Sequence, residues 1–181
     1  MDKSKIESGI KLVLEGMGCD LTDQNFADTP KRYAKAMEEM FGVKKNSFTT
    51  FEEKYVDMVL LRGHMLHTLC PHHLFQVELT VDLAYFPGAS VLGLSKLVRL
   101  LDNINTGPVM QEKFTIAAVE EMDKYLPDNR GVAIKVRGTH GCMQCRGVKT
   151  RGDVITYNYS GKFKMEPAYQ DRFLQLVQGG K

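Results

Sequence analysis

The chain is constrained most by an uninterrupted two-residue alternation that runs from Phe75 to Tyr85. In an extended backbone, successive side chains point to opposite faces, so this pattern separates apolar from polar residues. One face carries Phe75, Val77, Leu79, Val81, Leu83 and Tyr85, and the other carries Gln76, Glu78, Thr80 and Asp82. This segment is the clearest strand of the sequence, and the remaining elements are predicted around it.

Helical spacing and further alternation order the rest of the chain. The predicted elements are, in order, helices over 6–17 and 28–42, strands over 55–66 and 75–85, helices over 94–104 and 109–125, strands over 132–136 and 154–159, and a helix over 167–177. Thr29 and Ser95 are the predicted caps of the second and third helices. Gly42 is the predicted end of the second helix.

This order of elements predicts an α+β domain with a mostly antiparallel sheet. A chain of 181 residues with 43% hydrophobic content has the size of one domain with a substantial core. In an antiparallel meander, the connections after the first and third strands lie at the same end of the sheet. Two clusters of cysteine and histidine occupy those connections, so the order of strands allows them to meet.

The composition gives no sign of a nucleic-acid or membrane partner. A net charge of +2 exerts no global pull on polyanions. No apolar run approaches the roughly 20 residues of a bilayer-spanning helix, and the amino terminus has no signal-like apolar core. We therefore expect a cytoplasmic protein. In that reducing compartment, Cys70, Cys142 and Cys145 are expected to be metal ligands rather than disulfide partners, and Cys19 lies apart from them.

Three of the 5 histidines and three of the 4 cysteines lie in the two clusters. The clusters are Cys70-Pro71-His72-His73 and His140-Gly141-Cys142-Met143-Gln144-Cys145. Cysteine thiolate and histidine nitrogen are ligands that zinc prefers. The spacing is compatible with two kinds of zinc site.

In an open site, Cys70, His73 and Cys142 hold zinc and leave one position for an activated water. The two remaining histidines of the clusters are then nearby general acids or bases. In a closed structural site, Cys145 completes a set of four ligands. The closed site leaves those two histidines without a role. Its two ligand pairs also lie much farther apart in the sequence than the pairs of zinc fingers or ribbons do. The ligand spacing alone fits both sites equally well, and these two observations favour the open one.

The sequence resembles the type I GTP cyclohydrolases, a family of the tunnelling fold, through most of its length. The resemblance rests on motifs that occur in the family's order and spacing. These are Asp28-Thr29-Pro30-Lys31-Arg32, Cys70-Pro71-His72-His73, Gly93-Leu94-Ser95-Lys96-Leu97-Val98-Arg99, Gln111-Glu112, His140-Gly141-Cys142-Met143 and Arg146-Gly147-Val148.

The resemblance implies an open zinc site made by Cys70, His73 and Cys142, with Cys145 at a position that is not a ligand in the family. It implies that His72 and His140 are catalytic and transfer protons. The implied substrate is GTP, which is hydrolysed at C8 with release of formate. An Amadori rearrangement of the ribose and ring closure then yield 7,8-dihydroneopterin triphosphate, the first step of pterin and folate or deazaguanine biosynthesis.

The resemblance also implies which residues bind the substrate. Glu112 reads the guanine edge, with Gln111 beside it, because a carboxylate accepts two hydrogen bonds from adjacent donors. The implied contacts to phosphate and ribose come from Arg32, Lys35, Ser95, Lys96, Arg99 and Arg146.

For the whole chain, the resemblance implies a single domain over 1–181, with an N-terminal helical part over 1–50 and a tunnelling-fold core over 51–181. The core is a four-stranded antiparallel sheet with two helices between its second and third strands. The family assembles as a toroidal homodecamer of two pentamers, so we expect a homo-oligomer. The chain departs from the family pattern at Pro71 and over Thr106–Met110. Because it has no long amino-terminal extension, allosteric regulation by a feedback partner is not expected.

Overall fold

The computed structural model describes residues 1–42 and 48–178, and each range forms a compact unit of its own. The amino-terminal unit consists of helices α1 (Lys3–Gly16) and α2 (Thr29–Phe41). Both helices were predicted, and α2 ends at Gly42 as expected. The predicted cap was wrong, because α2 is preceded by Asp28 as its N-cap residue and Thr29 is already helical.

The second unit is built on two antiparallel sheets. In chain order, the strands are β1 (Thr50–Glu52), β2 (Val59–Leu69), β3 (Gln76–Phe86), β4 (Ser90–Leu92), β5 (Gly131–His140) and β6 (Val154–Tyr159). The larger sheet has four strands in the order β2-β3-β5-β6, and β1 pairs with β4 in a separate two-stranded sheet. The short strands β1 and β4 were not predicted, because three residues are too few to show a period.

Five helices accompany these strands in the described part of the second unit. They are α3 (Leu94–Ile104), α4 (Gln111–Tyr125), α5 (Gly141–Gln144), α6 (Gly161–Met165) and α7 (Pro167–Gln178). The predicted α+β class is confirmed, as is a four-stranded antiparallel sheet with two helices, α3 and α4, between its second and third strands. Ser95 is not a cap, because Gly93 precedes α3 and the first turn has no side-chain cap.

The alternating residues of β3 form the centre of the main core. Val77, Leu79, Val81, Leu83 and Tyr85 are each at most 1% exposed. They pack in one cluster with apolar residues of α3 and α4, which include Leu97, Leu100, Phe114 and Met122. The predicted buried face is therefore confirmed from Val77 onward, whereas Phe75 precedes the strand and is 40% exposed.

A second, smaller cluster of buried residues covers one end of the opposite face of the sheet. Ala84 and Phe86 of β3 and Ala133 of β5 pack there against Phe163 of α6 and Phe173 of α7. The α6 helix was missed from the sequence because it has five residues. Within the described ranges, no helix is both long and apolar enough to span a bilayer.

The start of the sheet was predicted too early. The first long strand begins at Val59 rather than Tyr55, and its pairing with β3 shifts register between Leu61 and His64. Gly63 lies in this bulge with a φ of +67°, a left-handed conformation that glycine adopts without steric cost. Its amide donates to Asp82 Oδ1 at 2.8 Å, which ties the bulge to β3.

Candidate metal centre and active site

A tight turn between β2 and β3 presents the first cluster. The Cys70 amide donates to the Phe75 carbonyl at 2.9 Å, and the Leu74 amide donates back to the Cys70 carbonyl at 2.8 Å. Pro71 follows Cys70, where the fixed φ of proline suits the start of a turn. The turn keeps Cys70 buried and leaves His72 and His73 exposed.

The register between β3 and β5 brings the second cluster to the same place. Val77 at the start of β3 lies opposite His140 at the end of β5, and α5 begins at the next residue. That residue is Gly141, where a Cβ atom would lie 2.9 Å from the Gln76 carbonyl oxygen. Its small size therefore allows α5 to lie close to β3. The two clusters meet, as the antiparallel order predicted.

Three side chains at this junction form a group that fits a metal ion. The ligand atoms of Cys70, His73 and Cys142 all lie within 4.8 Å of one another. Cys145 does not belong to this group, and its thiol donates instead to the Gly141 carbonyl oxygen at 2.9 Å. The geometry therefore corresponds to the open set of three ligands rather than the closed set of four.

The electrostatics of the two thiols also fit a cation. Burial raises the pKa of the Cys142 thiol, and the neighbouring Cys70 thiol raises it further. Two thiolates side by side repel each other unless a positive charge lies between them, and a bound divalent cation supplies that charge. Two sulfur donors with one imidazole are ligands of the soft kind that zinc accepts.

The remaining contacts of the first cluster involve its two histidines. His72 Nδ1 lies 3.7 Å from Cys70 Sγ, and His73 Nδ1 lies 4.0 Å from the same sulfur. The exposed Arg146, just beyond α5, places Nη1 2.6 Å from His73 Nε2. A guanidinium group thus lies directly beside the candidate metal ligands.

His140 is half-buried at the end of β5 and is held by a glutamine. Its Nε2 lies 2.9 Å from Gln111 Oε1. Burial lowers the pKa of His140, and the negative charge of Glu112 partly offsets that effect. Gln111 is only 3% exposed, and its amide nitrogen donates to the carbonyl oxygens of Val136 at 3.1 Å and Val154 at 2.9 Å.

The other predicted substrate residues of this unit lie in the amino-terminal halves of α3 and α4. Glu112 is exposed and directly follows Gln111. Ser95 and Arg99 are exposed on α3, whereas Lys96 is 9% exposed. The amino-terminal halves of both helices therefore present polar and charged side chains.

The two remaining predicted substrate residues belong to the amino-terminal unit. Arg32 and Lys35 are exposed on α2, where they form ion pairs one helical turn apart, with Asp28 at 3.1 Å and Glu39 at 3.6 Å. Such exposed pairs contribute little to stability and separate readily. A role for these residues in substrate binding stays a prediction.

Three residues around Gln111 were missed in the sequence analysis. Thr115 and Thr156 extend its hydrogen bonds, and their hydroxyl oxygens lie 2.6 Å apart. Gly138 faces the amide, because a Cβ atom there would lie 2.0 Å from Gln111 Oε1. The sequence carries one signal for this contact, since a glycine inside a strand marks a place where other atoms approach closely.

An α+β fold that holds a three-ligand Cys/His group beside a half-buried histidine defines a candidate metalloenzyme. The family model for GTP cyclohydrolase I matches residues 6–178. The chain belongs to the GTP cyclohydrolase I family, as the sequence motifs indicated.

Individual relatives agree along the whole chain. GTP cyclohydrolase 1 of Sulfurihydrogenibium sp. (strain YO3AOP1) is 36% identical over 184 residues, which cover 100% of this chain and 98% of that protein. GTP cyclohydrolase 1 of Clostridium perfringens (strain ATCC 13124) is 34% identical over 183 residues, which cover 98% of each. Among solved structures, the archaeosine synthase QueF-Like aligns over 60% of this chain and 97% of that one, with 17% identity and a TM-score of 0.49.

Proposed function

We propose that this chain converts GTP and water to 7,8-dihydroneopterin triphosphate and formate, the first step of pterin and folate or deazaguanine biosynthesis. The observation that carries the proposal is the junction of Cys70, His73, Cys142 and His140 in a chain of this family. The purine imidazole ring opens when water adds at C8, and a second hydrolysis releases that carbon as formate. Rearrangement of the ribose and ring closure with loss of water complete the pterin.

In this proposal Cys70, His73 and Cys142 hold Zn²⁺. Their donor types and their mutual distances below 4.8 Å support this assignment. A zinc ion in such a site supplies a Lewis acid and lowers the pKa of a bound water toward neutrality. Cys145 is not a ligand in this proposal, because its thiol donates to the backbone oxygen of Gly141 at the start of α5.

The proposed proton carriers are His72 and His140, which serve the purine ring and the ribose. His140 has one ring nitrogen bonded to Gln111, so its other nitrogen is left for the substrate. His72 lies between the two ligands of the β2–β3 turn, within 3.7 Å of Cys70 Sγ. His72 thus contacts a candidate metal ligand, and His140 directly precedes the helix that carries Cys142, so both imidazoles are suited to proton transfer during hydrolysis.

Glu112 is the proposed reader of the guanine edge, since its carboxylate accepts hydrogen bonds from two adjacent N–H donors. Its effect on the pKa of His140 supports a position near the site. Gln111 was predicted as a second substrate ligand, but its side chain is 3% exposed and its amide bonds within the protein, which favours a structural role. The proposed contacts to triphosphate and ribose are Ser95, Lys96, Arg99, Arg146, Arg32 and Lys35.

We further propose that the chain forms a homo-oligomer in the cytoplasm, with the toroidal decamer of two pentamers as the expected assembly. Among the residues that the structure describes, β2 and β6 are the edge strands of the four-stranded sheet, each paired with one neighbour. Both edges expose apolar side chains, namely Met65 at 56%, Ile155 at 46% and Tyr157 at 45%. Pairing between subunits would cover such edges. A solution mass equal to that of one 20.4 kDa chain by light scattering would contradict the assembly.

A direct test incubates the purified, zinc-loaded chain with GTP and measures formate and pterin fluorescence. We expect one formate per pterin formed. His140→Ala is expected to abolish turnover while the zinc content stays the same. His67→Ala is the matched control, because His67 is an exposed histidine that bonds Gln76 outside the metal group, and it should retain activity. No formate above background from the wild-type chain would refute the proposed function.

A further inference from the structure

We infer that Gln111 is a positioning residue that orients the His140 ring by accepting a hydrogen bond from its Nε2, so that Nδ1 is the ring nitrogen left for the substrate. This inference rests on the proposed function, in which His140 transfers protons. It assigns Gln111 a role different from contact with the substrate. The assignment depends on the direction of each hydrogen bond around the Gln111 amide.

The orientation of the amide follows from two backbone carbonyls. Gln111 Nε2 lies 3.1 Å from the Val136 oxygen and 2.9 Å from the Val154 oxygen. A carbonyl oxygen only accepts hydrogen bonds, so the NH₂ end of the amide must face these two atoms. If the amide were reversed, its oxygen would face both carbonyl oxygens at these short distances with no hydrogen between them. Gln111 Oε1 is therefore the atom that faces His140.

The hydrogen bonds of two threonine hydroxyls next to the amide agree with this orientation. The Thr115 hydroxyl donates to the backbone oxygen of Gln111 at 2.8 Å. Because that hydrogen is used, the 2.6 Å contact between the two hydroxyls has Thr156 as its donor. Thr156 Oγ1 therefore turns no hydrogen toward Gln111 Nε2, which lies 3.2 Å away. The amide nitrogen has two hydrogens, which serve the Val136 and Val154 oxygens, so the Thr156 oxygen can only share one of them. The directions of both hydroxyls agree with the amide orientation.

The consequence for His140 is a fixed tautomer. An amide oxygen only accepts, so the 2.9 Å contact requires a hydrogen on His140 Nε2. This hydrogen stays in place whether the imidazole is neutral or protonated. Nδ1 is therefore the ring nitrogen that the protein leaves for the substrate. Gln111 resembles the buried group that orients a catalytic histidine through its second nitrogen in other enzymes.

The surroundings of Gln111 support a role within the protein. The side chain is 3% exposed, and its amide bonds to atoms of β5 and β6 and to His140. On β5, Gly138 leaves the space that the amide oxygen occupies, since a Cβ atom would lie 2.0 Å from Oε1 and 3.0 Å from His140 Nε2. The absence of a side chain at Gly138 thus leaves room for the contact between Gln111 and His140.

Steady-state kinetics separate a positioning residue from a substrate ligand. In Gln111→Leu we expect kcat to fall about 10- to 100-fold, as for a mispositioned catalytic group, while KM for GTP changes less than about twofold and zinc content is unchanged. Gln111→Glu should recover much of this kcat, because a buried, protonated carboxyl keeps one donor and the acceptor oxygen. A raised KM with unchanged kcat in Gln111→Leu would overturn the inference and identify a substrate ligand.

The tautomer can also be measured without turnover. In protein labelled with ¹⁵N-histidine, long-range ¹H–¹⁵N spectra distinguish a protonated from an unprotonated ring nitrogen, and the signals of His140 are those missing in His140→Asn. We expect protonated Nε2 in the wild-type chain and a mixture of tautomers in Gln111→Leu, or in Gln111→Met if the leucine variant does not fold. Protonated Nδ1 in the wild-type chain would overturn the inference. Because this measurement needs no GTP, it remains decisive if the proposed reaction is wrong.

Discussion

Replacement of Gly138 by alanine tests the contact between Gln111 and His140 with a single added methyl group. The new Cβ would lie 2.0 Å from Gln111 Oε1 and 2.9 Å from its Cδ, whereas ordinary contacts begin at 3.4 Å. The amide oxygen must therefore move by more than about 1 Å. A displacement of that size cannot preserve both the 2.9 Å bond to His140 and the bonds to Val136 and Val154.

The expected loss of stability in Gly138→Ala follows from the hydrogen bonds that the Gln111 amide loses. A buried polar group left without a partner costs about 1–3 kcal/mol of stability. Alanine returns about 0.4–1 kcal/mol, because it restricts the unfolded chain, and no positive φ opposes it at this position. We therefore expect Gly138→Ala to lower the free energy of unfolding by about 1–2 kcal/mol. If His140 loses its fixed tautomer, kcat should fall about 10-fold or more, equivalent to at least about 1.4 kcal/mol.

Urea unfolding and formate release measure these two quantities. Gly107→Ala is the matched control, because a Cβ atom at Gly107 would have no neighbour within 4 Å. That variant should keep its kcat and should gain rather than lose stability, by about 0.4–1 kcal/mol. If Gly138→Ala has wild-type stability and kcat, then the amide does not occupy the position described, and the argument for a fixed His140 fails.

Three further predictions follow from other parts of the structure. Burial lowers the pKa of His64 below its usual 6.5, so the unfolded chain binds a proton at a higher pH than the folded chain does. The free energy of unfolding should therefore fall as the pH drops below about 6.5. His64→Leu should weaken this pH dependence, measured by urea unfolding at several pH values. A Cβ atom at Gly9, inside α1, meets nothing within 4 Å, so Gly9→Ala should raise helix stability by about 0.5–1 kcal/mol in thermal melts followed by circular dichroism. Metal analysis should find one zinc per chain in Cys145→Ala and none in Cys142→Ala, and loss of zinc from both would show that Cys145 is a ligand.

The elements that could be predicted are those long enough to show a periodic pattern of apolar residues. The alternation over Phe75–Tyr85 gave β3, and helical spacing gave α3 with the bounds that the structure has. Elements of three to five residues, such as β1 and α6, left no readable period. Their formation depends on tertiary pairing, for example the register of Phe51 with Val91, and sequence periodicity does not carry that information.

The residues of the candidate site likewise fall into those that the sequence could reveal and those that depend on tertiary structure. Cys70, His73 and Cys142 could be found because metal ligands are rare residue types, and the antiparallel strand order already placed them at one end of the sheet. The support for His140 could not be found in that way, because Gln111 reaches acceptors that lie 25 and 43 residues further along the chain. Those bonds depend on the register between three elements. The one trace they leave in the sequence is Gly138, so a glycine that interrupts a central strand next to a catalytic candidate indicates where an orienting side chain approaches.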